Sequence, residues 1–175
     1  GCRPVGERVA QSGIVVKTLT ELLETDEHCR QKFYELFEHK IMLDVPSPDP
    51  YTPPSFEEFS KLYFGHPDFE SDATFLALDG DAYVGVSALF PIKAEPGKYF
   101  TSMTGVLRDY RRRGLARALK VYAIEYVQVN GGHTIKTDNE ENNPMYDLNM
   151  QLGFRPEPAW VDYERPWGGG MSNEQ

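Results

Sequence analysis

The hydrophobic period of this chain changes along its length, and the change limits the folds open to it. In residues 29–43 the apolar side chains Phe33, Leu36, Phe37, Ile41 and Met42 fall at helical spacing. From Ala73 the period drops to two. Residues 73–78 read as a strand, Asp79-Gly80-Asp81 as a turn, and residues 82–90 as the hairpin partner. A third long strand is expected over 99–107. Helical spacing then returns, with Leu115, Leu119, Tyr122 and Tyr126 at i, i+4, i+7 and i+11, until Gly131-Gly132 stops it. A strand over 134–138 comes next. Asn143 caps and Pro144 opens a last helix that ends at Gly153, and Trp160, Val161, Asp162, Tyr163 and Glu164 alternate as a terminal strand. Upstream, residues 14–19 are β-rich, and Ser55 with Glu58 forms a capping box for a short second helix. The expected order is β, α, α, β, β, β, α, β, α, β, a mixed α/β domain built on a sheet.

One domain accounts for the length. Hydrophobic residues are 40% of 175, and a chain of this size buries roughly 70% of its unfolded surface. Residues 1–13 are expected to be a linker or flexible N-terminus, 14–167 the domain and 168–175 a disordered tail. The chain starts at Gly1, which fits a piece cut from a longer protein. Lys plus Arg number 18 against 27 Asp plus Glu, a net charge of −9. That balance disfavours nucleic-acid and membrane-surface partners, which need broad basic faces. No apolar run approaches the ~18–20 residues of a membrane span. Two cysteines, Cys2 and Cys29, suit a reducing, cytoplasmic setting. His28, His39, His66 and His133 lack the spacing of a metal site and read as surface or packing residues.

Chemistry concentrates where the third long strand runs into a helix. Arg111, Arg112 and Arg113 precede Gly114, Leu115 and Ala116. A helix N-terminus leaves about four N–H groups unpaired and carries a positive partial charge. Gly114 and Ala116 leave those groups open to a ligand, and the arginines add charge. This combination suits a diphosphate. The loop has neither the Gly-Lys-Ser/Thr of a Walker sequence nor three spaced glycines. Its alternative reading is a solvated arginine loop.

A second stretch carries a misplaced polar group. Met145, Leu148 and Leu152 are expected to form the buried stripe of the last helix, with Asn149 on its flank. Asn149 either bonds a neighbouring backbone or faces a polar ligand.

Together these stretches resemble the GNAT superfamily of acetyl-CoA-dependent N-acetyltransferases. The family's Arg/Gln-x-x-Gly-x-Gly/Ala motif is matched by Arg111, Gly114 and Ala116. Its later Asn and Leu-Gly-Phe are matched by Asn142 and by Leu152, Gly153 and Phe154. Thr104-Gly105-Val106, Ala118-Leu119-Lys120 and the spacing of Met145 to Asn149 look most like the C-terminal half of bacterial proteins with two such domains in tandem. The resemblance implies a GNAT-like fold: a central, mostly antiparallel sheet splayed between its two central strands, with helices on both faces. It implies acetyl-CoA as co-substrate, no metal, and an amine acceptor, either a small molecule or a peptide. A second GNAT domain in cis or a homodimer is the further partner implied.

Carried onto this sequence, the resemblance gives the backbone of Val106 and Leu107 to the pantetheine arm. It gives Arg111, Arg112, Arg113, Gly114, Leu115 and Ala116 to the diphosphate, and Asn142 and Asn149 to the cofactor. Many relatives carry a Tyr, proposed to protonate the leaving thiolate, where Asn149 stands. A thiol pKa near 8.5 lies ~1.5 units above neutrality, about 2 kcal/mol, so its loss does not forbid catalysis. Tyr146 reads as surface or packing instead. The strand over 99–107 has no carboxylate, so no base is evident. Glu95, Asp138, Glu140 and Glu141 are placed for the role but read more readily as solvated loop acids. The proline-rich stretch from Pro46 to Pro54 and the second helix are expected to wall the acceptor side. Two readings result: an acetyltransferase acting by direct amine attack, and a catalytically silent module that binds coenzyme A or a partner domain.

Overall fold

The computed structural model describes residues 13–45, 50–139 and 143–158. Strand β1 (Ile14–Thr18) leads into helix α1 (Leu19–Thr25) through a capping box between Thr18 and Glu21. Helix α2 (Cys29–Leu36) continues as a π-helical turn (Phe37–Ile41) and a 3-10 turn (Met42–Asp44). Helix α3 (Phe56–Phe59) starts at the Ser55–Glu58 capping box expected from the sequence and also continues into a π turn (Ser60–Phe64). Strands β2 (Thr74–Asp79), β3 (Ala82–Pro91) and β4 (Lys98–Val106) come next. Helix α4 (Leu115–Val129), strand β5 (Thr134–Lys136) and helix α5 (Met145–Gln151) complete the described elements. The expected linker and tail, the expected terminal strand and Asn142 lie outside the described residues.

The five strands form one sheet in chain order. Pairing is antiparallel except between β4 and β5, which run parallel. The sheet is covered on both sides, so β2 is apolar from Phe75 to Leu78, and its alternate residues feed two cores. Phe75 and Ala77 pack with Leu115, Leu119, Ala123 and Val127 of α4. Leu76 and Leu78 pack with Leu19, Leu22, Phe33 and Phe59 of α1 to α3.

Helix α4 sits on the sheet in a different rotation from the one its large residues imply. Its buried face is Leu115, Ala118, Leu119, Ala123 and Val127, and Tyr122 is 39% exposed. The alanines let the helix approach closely. Tyr122 and Tyr126 lie at the flanks against Phe75. The helix ends in a Schellman motif: Gly132 N–H donates to Val127 O at 2.7 Å and Gly131 N–H to Gln128 O at 3.3 Å, with Gly131 at φ 74°. Strand β5 covers three of the five residues expected for it.

The contact that brings the helical layer onto β4 depends on a missing side chain. A Cβ on Gly105 would run into Ile41. Gly105→Val is expected to cost about 1–3 kcal/mol, read as a lower urea midpoint. Combined with Ile41→Ala, the loss is expected to fall short of the sum of the two single changes.

Candidate active site at the parting of two strands

Strand β4 pairs with β5 only from Lys98↔Thr134 to Phe100↔Lys136. There β5 ends while β4 runs on to Val106, leaving an edge with no strand beside it among the described residues. At the same point β4 carries a bulge: Ala88 faces Met103 and Leu89 faces Thr101, so Ser102 is the extra residue. Leu107 N–H donates to Val84 O at 3.0 Å. Alternation then directs Gly105 and Met103 toward β3, and Val106 and Thr104 toward the open edge. Leu107, expected at the pantetheine arm, gives its N–H to Val84 O, and its carbonyl accepts from Tyr110 N–H at 2.9 Å.

The chain leaves β4 through a 3-10 turn (Arg108–Tyr110) and reaches α4 through two left-handed residues, Arg112 at φ 60° and Gly114 at φ 79°. Gly114 caps α4 without a side-chain hydrogen bond, so the first-turn N–H groups keep no internal partner. A Cβ on Gly114 would meet nothing within 4 Å, so the space before the helix is open. The three arginines divide. Arg113 lies over the Tyr110 ring at 5.4 Å, and Tyr110 donates to Asp79 at 2.7 Å. Arg112 is exposed. Arg111 turns back: its Nε donates to Val106 O at 3.0 Å and its guanidinium pairs with Asp44. Arg108 shares Asp44, and the two guanidinium groups, Arg108 first, hold that carboxyl below the usual carboxylate range. Leu115 is buried and brings only its backbone to the site.

Helix α5 reverses the expected stripe. Met145, Leu148 and Leu152 are half-buried, and Asn149 is the buried residue at 4% exposure. Its Nδ2 donates to Asn139 Oδ1 at 2.6 Å. Its Oδ1 is buried with no partner among the described residues. Tyr146 is exposed. Asn143 Oδ1 accepts from Met145 N–H at 2.9 Å, the capping role expected of it.

Two ionisable residues flank the parting, and sequence reading passed over both. On the α4 side Lys120 is 4% exposed and lines a small cavity with Ser87, Leu89, Thr101, Ile135 and Phe154. Burial pushes its amine down to about 8. Its neighbour is the Phe154 ring, 5.2 Å from Nζ. On the helical side Glu38 is 5% exposed and accepts from the Tyr51 hydroxyl. Burial pushes its carboxyl up, against the Tyr51 hydrogen bond, which pulls it down. Its charge also helps raise the buried Tyr63 hydroxyl, which sits beside Ser102 and Thr74 and is pushed up to about 12, mainly by burial. Glu38 lies one turn after the buried Tyr34, at the start of the π turn, which sets it on the inner face of this segment. The visible signal was an acid between Phe37 and Ile41 on an apolar face. Among the acids expected by position, Glu95 pairs with Lys98 at the surface and Asp138 is exposed. Glu140 and Glu141 lie outside the described residues. The proline-rich stretch is fastened to α2 where Tyr34 donates to Pro54 O at 2.7 Å.

Among the described residues no helix is long and apolar enough to cross a membrane, and no group of three His, Cys, Asp or Glu side chains could hold a metal. No curated protein matches the chain significantly. Similar folds occur in solved structures at low identity. The ribosomal-protein-S18-alanine N-acetyltransferase from Escherichia coli is 16% identical with a TM-score of 0.60, over 83% of this chain and 79% of that one. AAC(6')-Iy, solved with the bisubstrate analog CoA-S-monomethyl-acetylneamine, is 13% identical with a TM-score of 0.60, over 88% and 99%. Ard1 from Thermoplasma volcanium is 10% identical with a TM-score of 0.59, over 83% and 85%. The model of the acetyltransferase (GNAT) family matches residues 26–154. The strand that outruns its neighbour, the uncapped helix beyond it and this match agree, and the chain belongs to the GNAT family of acetyltransferases.

Proposed function

We propose that the domain transfers an acetyl group from acetyl-CoA to a primary amine by direct attack. The observation that carries this reading is the continuity of the open β4 edge with the uncapped N-terminus of α4. A diphosphate at the N–H groups of Leu115 and Ala116, with Arg112, Arg113 and Gly114 around it, puts a flexible arm at Val106. From Val106 to the bulge at Ser102 the strand covers four residues, roughly 13 Å. An arm paired along that edge delivers its thioester to the place where the strands part. The orphaned Asn149 Oδ1 offers an acceptor to an arm N–H, and Asn142 joins it by resemblance alone. Arg111 serves the loop's geometry through Asp44 rather than the phosphates directly.

The acceptor arrives as an ammonium, with a pKa near 10.4, and must lose a proton before it attacks. Glu38 is suited to take it. Burial makes it a stronger base than a solvated carboxylate, and its negative charge attracts a cation. The amine nitrogen then bonds to the carbonyl carbon, the C–S bond breaks, and an amide and free coenzyme A result. N–H groups on the β4 edge would stabilise the charge that develops on the carbonyl oxygen. Acetyltransferases of similar fold include one solved with a coenzyme A conjugate of an aminoglycoside fragment, which supports an amine acceptor. The substitution of Asn149 for Tyr favours the second reading, a silent module. Thiol release from acetyl-CoA with a panel of amines decides: saturable binding without turnover selects the module.

For the cofactor, Gly114→Val and Arg113→Glu are each expected to weaken coenzyme A binding at least about tenfold in calorimetry, because each charge-assisted hydrogen bond contributes about 1.5–3 kcal/mol. Unchanged affinity in both variants overturns the assignment. For the base, Glu38→Gln is expected to lower kcat by about 10²-fold or more and to leave coenzyme A affinity intact. The wild-type rate should fall as pH drops through a carboxyl value above the ordinary one, since the ionised form is the base. Tyr51→Phe removes a hydrogen bond to that carboxylate, so its pKa rises further. The acid limb of the pH–rate profile should then move to higher pH.

A further inference from the structure

We propose that Lys120 protonates the departing thiolate, the task left open by Asn149. The proposal rests on the acyl-transfer reading and adds a residue to it. Lys120 lies in the cavity between Thr101 of β4 and Ile135 of β5, the two strands at their parting. It approaches from the α4 side, whereas Glu38 approaches from the side of α2, on the other face of the sheet. An acceptor activated beside Glu38 therefore attacks from one face and leaves the sulfur toward the other.

The surroundings offer the ammonium the face of the Phe154 ring but no charged partner among the described residues. Around Lys120 stand Ser87 and Leu89 from β3, Thr101 from β4, Ile135 from β5, Ala123 and Ile124 from α4, and Phe154 after α5. None of these is charged or titrates in the working range, and among the described residues the ammonium has no carboxylate partner. A methionine would fill the same space without the cost of burying an unpaired charge. A thiolate forming in the gap supplies the missing countercharge. Burial also holds the amine at about 8, close to the ~8.5 of a free thiol, the match that favours proton transfer. As the C–S bond breaks, its electron pair stays on sulfur. One Nζ–H proton passes to that sulfur, and the neutral amine regains a proton from water.

The test uses the whole chain with coenzyme A, acetyl-CoA and propylamine, comparing wild type with Lys120→Met and Lys120→Arg. Thiolate absorbance of bound coenzyme A reports its ionisation without turnover. In wild type the bound thiol should ionise about one pH unit or more below the free thiol, and Lys120→Met should abolish that shift while coenzyme A affinity at neutral pH stays the same and the thermal midpoint does not fall. Lys120→Arg keeps the charge but gives up no proton, so it should retain the shift and lose the rate. In turnover, Lys120→Met should slow acetyl-CoA by about 10²-fold but its selenium analogue by less than about threefold, because a selenolate leaves without a proton. A bound thiol that ionises alike in wild type and Lys120→Met overturns the proposal. So does an equal loss with both acyl donors. Absence of coenzyme A binding by wild type overturns the acyl-transfer reading itself, and is seen separately in the same titration.

Discussion

The end of β4–β5 pairing at Phe100 is the constraint on which the rest of the site depends. A sheet interior has no free backbone groups, and a sheet edge has a full row of them. Here β5 stops after three residues while β4 continues, so beyond Phe100 the outer side of β4 has no strand beside it among the described residues. The bulge at Ser102 sits at the apex of that gap and turns β4 away from its neighbour. Gly105 allows the helical layer to close down over the same strand. The arginine loop then begins where the edge ends, so the polar demand of the strand and that of the helix N-terminus fall in one line.

The gap also explains the two displaced ionisable groups. Both are buried, both lack the solvent that would hold them at ordinary values, and burial drives an acid up and a base down. Glu38 and Lys120 are thereby brought toward neutrality from opposite sides, on opposite faces of one opening. Groups whose environments shift them in this way are suited to acid and base work at the same pH. A domain with only packing to satisfy would place apolar residues at both positions, since neither charge meets an opposite charge among the described residues.

Much of this was legible because it is local. The Asp79-Gly80 turn, the Ser55–Glu58 cap, the double-glycine stop at Gly131 and the loop into Gly114 each depend on a few neighbouring residues, and each stands at its expected place. The misses are rotational. Glu38 stands one turn after the buried Tyr34, an acid among core residues whose burial depends on what packs over them. Alanines set the depth of α4, so its tyrosines slid to the flanks and Lys120 turned inward. The last helix was read by its large apolar residues, but Asn149 is what it buries. In each case the periodicity was right, and the phase depended on partners far away in the chain.

The Asp44 clamp shows how an acidic protein can hold an anion. One carboxylate ties down Arg108 and Arg111 and so takes one of the three arginines of the run away from the helix mouth. What remains at the helix mouth is Arg112, Arg113 and a set of backbone N–H groups. Arg112 is held at a left-handed φ that a side chain adopts at a cost of order 1 kcal/mol. A solvated loop would relax such a residue. Here the clamp on one side and the start of α4 on the other fix it, so the loop's shape is settled before any ligand arrives. On the proposed reading, recognition rests on N–H groups at set positions more than on long-range attraction. A net charge of −9 therefore does not oppose the binding of an anion at this one place.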